Sequence, residues 1–562
     1  MKRILLFALS LIFLLNYELH ATEQTSPIDE ISLKRDELDK WWQHSSIYHI
    51  WVRSFFDTDG DSNGDINGIR QKLPYLQSLG INTVLLSPIF QSSSYHGYDV
   101  VDHYEIDPTL GSKQDLKMLI EEAHKVDIRV LLDLPINHTS HLHPWFQKSL
   151  EQKGKYKDFY RWRQDLPDDY GFPWDEESPV TSTWHHKEQR AGFYYGLFGY
   201  DNPDLNYQNK EVQKEAFKIA KYWVEFGVDG FRIDAARHLV EEGPNPLQAD
   251  TESNRTFIKA LVRKIKKINT NVLVLGEALT DLQSSKSYLK GKNSMDALFN
   301  FEFRDELAAL YLTNEYFNSD DDDTATKSVK DIYERLTKHK QTNKEYIVFL
   351  NNHDFSRFVT ESPSVNTIKK IMGTLSILSP FSHAIYYGDE LATTQKEFDD
   401  NIFARAPMIW NEKKNGGFTT NDISWVDDKS WVLWRPQHQP WFDDFSRLHY
   451  ELSVEAQEQD ENSVLKHYQK LLKIKNNDKV LSSPRKFKVI NSGNPQILAV
   501  KYSSKGSKRL VLVNLNPNKV KEAKLKKKIM NRFQIKENEL RLEAGDFMVF
   551  TAEQDVDGAI NG

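Results

Sequence analysis

From about residue 46 onward the chain repeats one alternation: a short apolar run rich in β-branched residues, then a stretch whose apolar residues recur at helical spacing. Eight such runs occur, at 47–54, 83–89, 129–135, 230–234, 272–276, 297–301, 346–350 and 383–387. Near-continuous apolarity is the pattern of parallel strands buried on both faces. Between them, 113–126 follows Ser112 as an N-cap and sets Leu116, Leu119, Ile120 and Ala123 on one face. The stretch 211–226 carries Val212, Ala216, Ile219, Ala220 and Trp223 and stops at Gly227, and 254–268 repeats the pattern. Eight parallel strands with intervening helices predict an α/β fold, a (β/α)8 TIM barrel, whose working residues sit at the C-terminal ends of the strands.

Two regions break the rhythm. Residues 139–209, after the third strand, are rich in Trp, Tyr, Asp and Pro and too long for a plain connection, which predicts a small inserted domain. After about 469 the pattern turns to short alternating strands (496–502, 509–514, 546–551), which predicts a C-terminal antiparallel β-sandwich domain over 469–562. The barrel is then assigned to 22–138 and 210–468. Lys2 and Arg3 precede the apolar run 4–15, too short to span a bilayer, so 1–21 is expected to be a signal peptide with Ala21 before the cleavage point. The protein is therefore expected to be exported, to a periplasm or outside the cell. With no cysteine, neither a disulfide nor a lipid on an N-terminal Cys can anchor it. A net charge of -8 gives no electrostatic case for nucleic acid or an anionic membrane, and no second apolar segment reaches spanning length. The acidic run 320–323 and the lysine-rich 519–528 read as solvated surface.

Four of the runs finish in residues that do chemistry: DLPINH (133–138), GFRIDAARH (230–238), LGEAL (275–279) and FLNNHD (349–354). They offer three carboxylates, Asp234, Glu277 and Asp354, on strands of one barrel. Glycosidic cleavage through an oxocarbenium-like transition state needs one carboxyl group to protonate the leaving oxygen. Retention of configuration needs a second, about 5–5.5 Å away, to attack the anomeric carbon. Arg232, two residues before Asp234, points to the same side of its strand, can orient that carboxylate, and can pair with Asp133.

Taken together, the four motifs resemble the four signature regions of the α-amylase family, glycoside hydrolase family 13, over nearly the whole chain. The resemblance implies that Asp234 is the nucleophile, Glu277 the general acid/base and Asp354 the carboxylate that holds sugar hydroxyls. It implies that His138 and His353 bond hydroxyls of the sugar being cleaved, that Tyr98 stacks on it, and that His96 stands beside Tyr98. The segment DTDGDSNGD (57–65) presents oxygens at alternate positions with two glycines, which suits Ca²⁺. It resembles the calcium loop of the oligo-1,6-glucosidase branch, with Asp57, Asp59, Asp61 and Asp65 as side-chain ligands and Asn63 as a carbonyl. A second calcium between barrel and insertion would use Asn137 and the carbonyl of His238. In the insertion, Trp145, Tyr160, Trp162, Trp174 and Trp184 are aromatic faces on which sugars could stack.

The implied activity is hydrolysis of internal α-1,4 bonds in starch-like α-glucans or maltooligosaccharides. Against that, RAPMIW (405–410) resembles the RTPMQW of exo-acting α-glucosidases, in which the arginine, here Arg405, pairs with an aspartate matching Asp99 and closes the pocket. NPDLN (202–206) matches neither QPDLN of oligo-1,6-glucosidases nor MPDLN of neopullulanases. An exo-acting α-glucosidase or oligo-1,6-glucosidase, a trehalose-forming transglycosylase and an inactive binding relative stay open as alternatives.

Overall fold

The computed structural model describes residues 31–32, 40–175, 177–312, 322–341, 343–358, 364–394, 404–420, 447, 449–537 and 539–552. The expected signal segment 1–21 lies outside the described residues, as do Asp320 and Asp321 of the acidic run. Among the described residues no helix is long and apolar enough to cross a membrane.

Eight strands close a parallel barrel in sequence order: β1 (Ser46–Ile50), β2 (Thr83–Leu86), β3 (Arg129–Leu134), β4 (Gly230–Ile233), β5 (Leu273–Gly276), β6 (Ala297–Asn300), β7 (Glu345–Phe349) and β8 (Ser382–Tyr386). Closure comes from β8 pairing with β1, His383 opposite Ser46 through Tyr386 opposite His49. Alternate residues face alternate sides. Ile47, Leu85, Leu131, Leu273, Leu275, Phe299, Ile347 and Phe349 fill the interior as one cluster. Their neighbours Tyr48, Val84, Leu132, Phe231, Val274, Leu298 and Val348 face outward and join the larger core under the helices. The predicted helices form at Lys113–Lys125, Lys210–Phe226 and Glu252–Ile268. Ser112 accepts from the Asp115 N–H and Asp115 returns the bond, while Gly227 ends its helix at φ 117°.

The first strand is shorter than its apolar run suggests, because Val52–Ser54 turns into a 3-10 helix. The Ser87 hydroxyl accepts from the Val52 N–H there, which takes the chain out of the sheet. Within 139–209, Trp162–Arg163, Trp184–Lys187 and Gly192–Tyr195 form a three-stranded sheet over a small core of Tyr170, Trp184, Tyr195 and Leu197. Bridges His138–Asp204 and Tyr160–Leu205 seat this domain on the end of β3.

The C-terminal boundary lies later than the sequence pattern places it. Helix Val464–Asn477 runs through residue 469, and its Leu465, Tyr468, Leu471 and Leu472 belong to the barrel's outer core. The antiparallel sheet starts at Lys486–Ile490 and continues through Ile497–Ser504, Ser507–Asn514 and Phe547–Ala552. A two-stranded ribbon, Lys521–Ala523 with Leu540–Leu542, shares its second core. One strand of this sheet comes from far away: Ile31–Ser32, assigned by pattern to the barrel, pairs with Lys486 and Phe487.

Candidate active site

Register brings the central charges together. Arg232 lies opposite Asp133 on β3 and opposite Leu275 on β5, and all three face the barrel interior. Gly230, two residues earlier, faces the same way into a space where a Cβ would meet Leu131 and Leu273 at 2.8 Å. The layer below Arg232 is thus packed solid, and its guanidinium is pressed toward the mouth. Nη1 donates to Asp133 Oδ2 at 2.5 Å and to Asp234 Oδ1 at 2.9 Å, and Nη2 pairs with Glu277 Oε2 at 2.9 Å. One guanidinium therefore holds the two carboxylates named for bond cleavage. The Ala235 N–H adds a bond to Glu277 Oε2 at 3.2 Å. Tyr98 closes the ring: its hydroxyl lies 2.9 Å from Asp133 Oδ2, 2.5 Å from His353 Nε2 and 3.2 Å from Arg232 Nη1.

The third carboxylate stands at the open side. Asp354 is 41% exposed, against 9% for the Asp234 side chain and 18% for that of Glu277. His353 Nε2 sits 3.0 Å from Asp354 Oδ2, and Arg405 Nη2 sits 3.4 Å from Oδ1. Arg405 also donates to the His353 carbonyl at 2.9 Å and to the Tyr95 hydroxyl at 2.8 Å, with its guanidinium over the Trp51 ring at 4.6 Å. His353 stacks between Trp51 at 5.2 Å and Tyr98 at 5.4 Å.

The pairing of Arg405 with Asp99, drawn from the exo-glucosidase resemblance, is not formed. Asp99 is buried and accepts from the hydroxyls of Ser93 and Ser94, with His96 Nδ1 at 3.7 Å. The negative charge nearer to Arg405 is Asp354, and the arginine goes there. His96 accepts from the Tyr98 N–H at 3.2 Å, which fixes the turn presenting that tyrosine. His138 is buried beside Phe198, rings 5.3 Å apart, and its Nε2 has no protein partner.

Charge and burial set the protonation states. Burial pushes the Asp234 carboxyl up, Arg232 opposes this, and Glu277, Asp133 and Asp354 reinforce it. Four carboxylates facing Arg232 and Arg405 favour retention of a proton in the cluster. Burial raises Asp354 too, but His353, Arg405 and Arg232 outweigh it and hold that group well below the usual carboxylate range. Burial lowers His138 to about 3 and His238 to about 4, so both rings are neutral.

At the acidic loop the structure gathers ligand oxygens of Asp57, Asp59 and Asp61 within 4.8 Å of one another. Asp65 is not among them. It caps helix Ile66–Gln71, accepting from Gly68 N–H at 2.7 Å and from Thr58 N–H at 2.7 Å. The Asn63 side chain is also engaged, with Oδ1 accepting from Arg53 and Nδ2 donating to Asp61. At the second predicted metal position, Asn137 donates to Asp204 at 3.0 Å while its own Oδ1 stays buried without a protein partner. The His238 ring bonds the Gln248 carbonyl at 3.1 Å.

Three contributors escaped sequence reasoning. Trp51 and Tyr95 hold Arg405, and their only signal is a place just after β1 and one residue before His96. Asp204 is the insertion's carboxylate facing Asn137, and it lies in the NPDLN segment already noted for its departure from known patterns.

A closed parallel barrel with two carboxylates on one guanidinium at its C-terminal mouth defines a class, the barrel glycosidases. Residues 49–483 match the family model for the alpha amylase catalytic domain. Alpha-amylase 3 of Dictyoglomus thermophilum is 32% identical over 479 residues, spanning 85% of this chain and 86% of that protein. The oligo-1,6-glucosidase of Heyndrickxia coagulans is 27% identical over 547 residues, spanning 86% of this chain and 93% of its own. Among solved structures, the α-amylase of H. orenii superposes with TM-score 0.74 and 29% identity, over 91% of this chain and 100% of that one. The chain belongs to the α-amylase family of glycoside hydrolases.

Proposed function

We propose that this protein is an exported, retaining α-amylase that cleaves internal α-1,4 bonds of starch-like polymers and maltooligosaccharides. The observation that carries the endo reading is the placement of Arg405. Paired with Asp354 rather than Asp99, it does not form the bridge that would wall off the end of the sugar site. The similarity to an α-amylase across most of both chains supports the same reading.

In this reaction Asp234 attacks the anomeric carbon while Glu277 protonates the departing oxygen, giving a covalent glycosyl-enzyme. Glu277 then takes a proton from water, which displaces Asp234. A guanidinium bonded to both carboxylates favours the short separation that retention needs. Arg232 favours the ionised form of Asp234 that attack requires, against the burial that opposes it. Asp354, kept ionised, accepts from sugar hydroxyls, with neutral His138 and the His353 ring beside it. A charged cluster in a site emptied of water is preorganised for the oxocarbenium charge.

Calcium fits the acidic loop through Asp57, Asp59 and Asp61, three hard oxygen donors with no lysine or arginine side chain paired to them among the described residues. Asp65, committed to its helix cap, is left out of that set. A second cation fits beside Asn137 Oδ1 and Asp204, where burial pushes the aspartate up to about 7 and a cation would release its proton. Export is supported by Lys2 and Arg3 ahead of the apolar run 4–15. Sequencing the N-terminus of the protein released by its native host tests it.

The test of the function is a time course of products from amylose and maltoheptaose, separated by size. Mixed mid-length products early support the endo reading. Glucose alone from the chain end replaces it with an exo-acting α-glucosidase, and no product from any α-glucan removes it.

A further inference from the structure

The insertion's aromatic residues are sorted by the structure. Tyr160 and Trp184 are buried at 1% and 2% exposure, and Trp145 and Trp162 pack against the main core. Trp174 is different, with 44% of its surface exposed. Its ring lies nearly parallel to Phe172 (5.1 Å, 13°) and to Phe198 (6.3 Å, 25°). Phe198, itself 41% exposed, reaches the His138 ring at 5.3 Å and the His238 ring at 5.9 Å. The rings therefore join His138 and His238, at the ends of two signature motifs, to the exposed Trp174, which stands 6.2 Å from His238.

The side on which they lie can be read from backbone bonds. The turn from Ala235 to His238 is stitched to the acid/base strand, with Ala235 N–H on Glu277 Oε2 at 3.2 Å and Ala236 N–H on the Glu277 carbonyl at 3.0 Å. Arg237 then bonds the carbonyl of Leu279, whose side chain is 50% exposed. Leu247, 45% exposed, precedes the Gln248 carbonyl that meets His238. Exposed apolar side chains gathered beside a polar cluster mark a binding surface. A flat ring suits the C–H face of a hexose.

We propose that Trp174 is a stacking platform for a glucosyl unit of an α-glucan on the leaving-group side of the bond being cut, beyond the sugar whose departing oxygen Glu277 protonates. This rests on the α-glucan reading above. Trp174 touches none of the three carboxylates, so its role is to select chain length and cutting position.

The test uses the full-length protein carrying Asp234→Asn, or Glu277→Gln if the first folds poorly, titrated calorimetrically with maltotriose and with maltoheptaose. Adding Trp174→Ala is expected to weaken maltoheptaose about tenfold or more and maltotriose clearly less, with Trp174→Phe recovering much of the difference. In the active enzyme, Trp174→Ala is expected to move the cuts in end-labelled maltoheptaose toward the reducing end. Equal weakening for both lengths, no weakening, or a shift of cuts toward the non-reducing end would overturn the proposal. If the parent variants bind no maltooligosaccharide of any length, the α-glucan reading itself falls. Binding that Trp174→Ala leaves untouched removes only this inference.

Discussion

Two groups of carboxylates solve the same repulsion differently. At the ends of β3, β4 and β5, Asp133, Asp234 and Glu277 share one buried guanidinium, so the compensating charge is part of the chain. In the loop after β1, Asp57, Asp59 and Asp61 converge without a lysine or arginine in an ion pair with them among the described residues, Arg53 acting on Asp61 only from a distance. Backbone N–H groups stand in for such a pair: Asp57 accepts from Gly60 and Ser62 at 2.8 Å each, and Asp61 from Asn63 at 2.7 Å. The first arrangement is complete as folded and fit to hold a reacting sugar in one geometry. The second is neutralised only in part, and it suits an ion supplied from outside.

Breaking the internal countercharge should have the largest effect. Arg232→Met leaves three carboxylates without their shared partner, and kcat/KM on maltoheptaose is expected to fall about 10³-fold or more, about 4 kcal/mol of transition-state stabilisation. A fall of less than tenfold would mean that the guanidinium does not organise the pair.

A carboxylate outside both groups, Glu390, sharpens the contrast, because hydroxyls rather than a guanidinium carry its side-chain bonds. Glu390 is fully buried and accepts from the hydroxyls of Tyr48 at 2.6 Å and Tyr75 at 2.7 Å. Burial pushes it up to about 7 against those bonds. Its folded value exceeds its unfolded one, so the folded state holds the extra proton. The stabilisation is complete below about pH 4 and is lost as pH rises through about 7. Glu390→Gln should remove that slope, leaving the variant about 3 kcal/mol less pH-sensitive than wild type in denaturant titrations between pH 4 and 8. Parallel slopes would show that Glu390 is ionised throughout.

The external solution predicts a smaller change. Exhaustive chelation should lower Tm by a few degrees, restored by Ca²⁺, because the ion binds only the folded loop. That loop is tied to the segment bearing Arg405 through Asp57 N–H on the Phe418 carbonyl and the Thr419 hydroxyl on Asp57. Asp57→Asn should abolish most of the response. An unchanged Tm after chelation would leave the loop to its amides. Smallest of all, Asp99→Asn should leave the early products from maltoheptaose as they are, since Arg405 does not lean on Asp99. A switch to a new product set would restore that pairing to the argument.

What the sequence made legible follows from how local each signal is. All eight barrel strands, the capping of Lys113–Lys125 by Ser112 and the stop at Gly227 are written in neighbouring residues. So is the inward direction of Arg232 and Asp234, which needs only the two-residue period of a strand. The strand Ile31–Ser32 is invisible in the sequence because its partner, Lys486–Ile490, lies more than 450 residues away. The domain boundary was read too early because the Leu465–Leu472 helix precedes the sheet and serves the barrel. The partner of Arg405 is not legible in the sequence, because choosing between Asp99 and Asp354 depends on the loops that carry them, and Ser93 and Ser94 already satisfy Asp99. The second use of Asp65, as the cap of helix Ile66–Gln71, does not show in the spacing of the acidic loop.

The central claim is that Asp234 attacks the sugar while Arg232 holds Glu277 beside it. The most direct measurement is the mass of peptides from enzyme inactivated with a fluorinated α-glucosyl fluoride, which slows breakdown of a covalent intermediate more than its formation. The account predicts one added fluoroglucosyl mass on the peptide containing Asp234, with the anomeric fluoride released, and no such mass in Asp234→Asn. Label on another carboxylate, or turnover with no covalent adduct and inverted configuration, would contradict it.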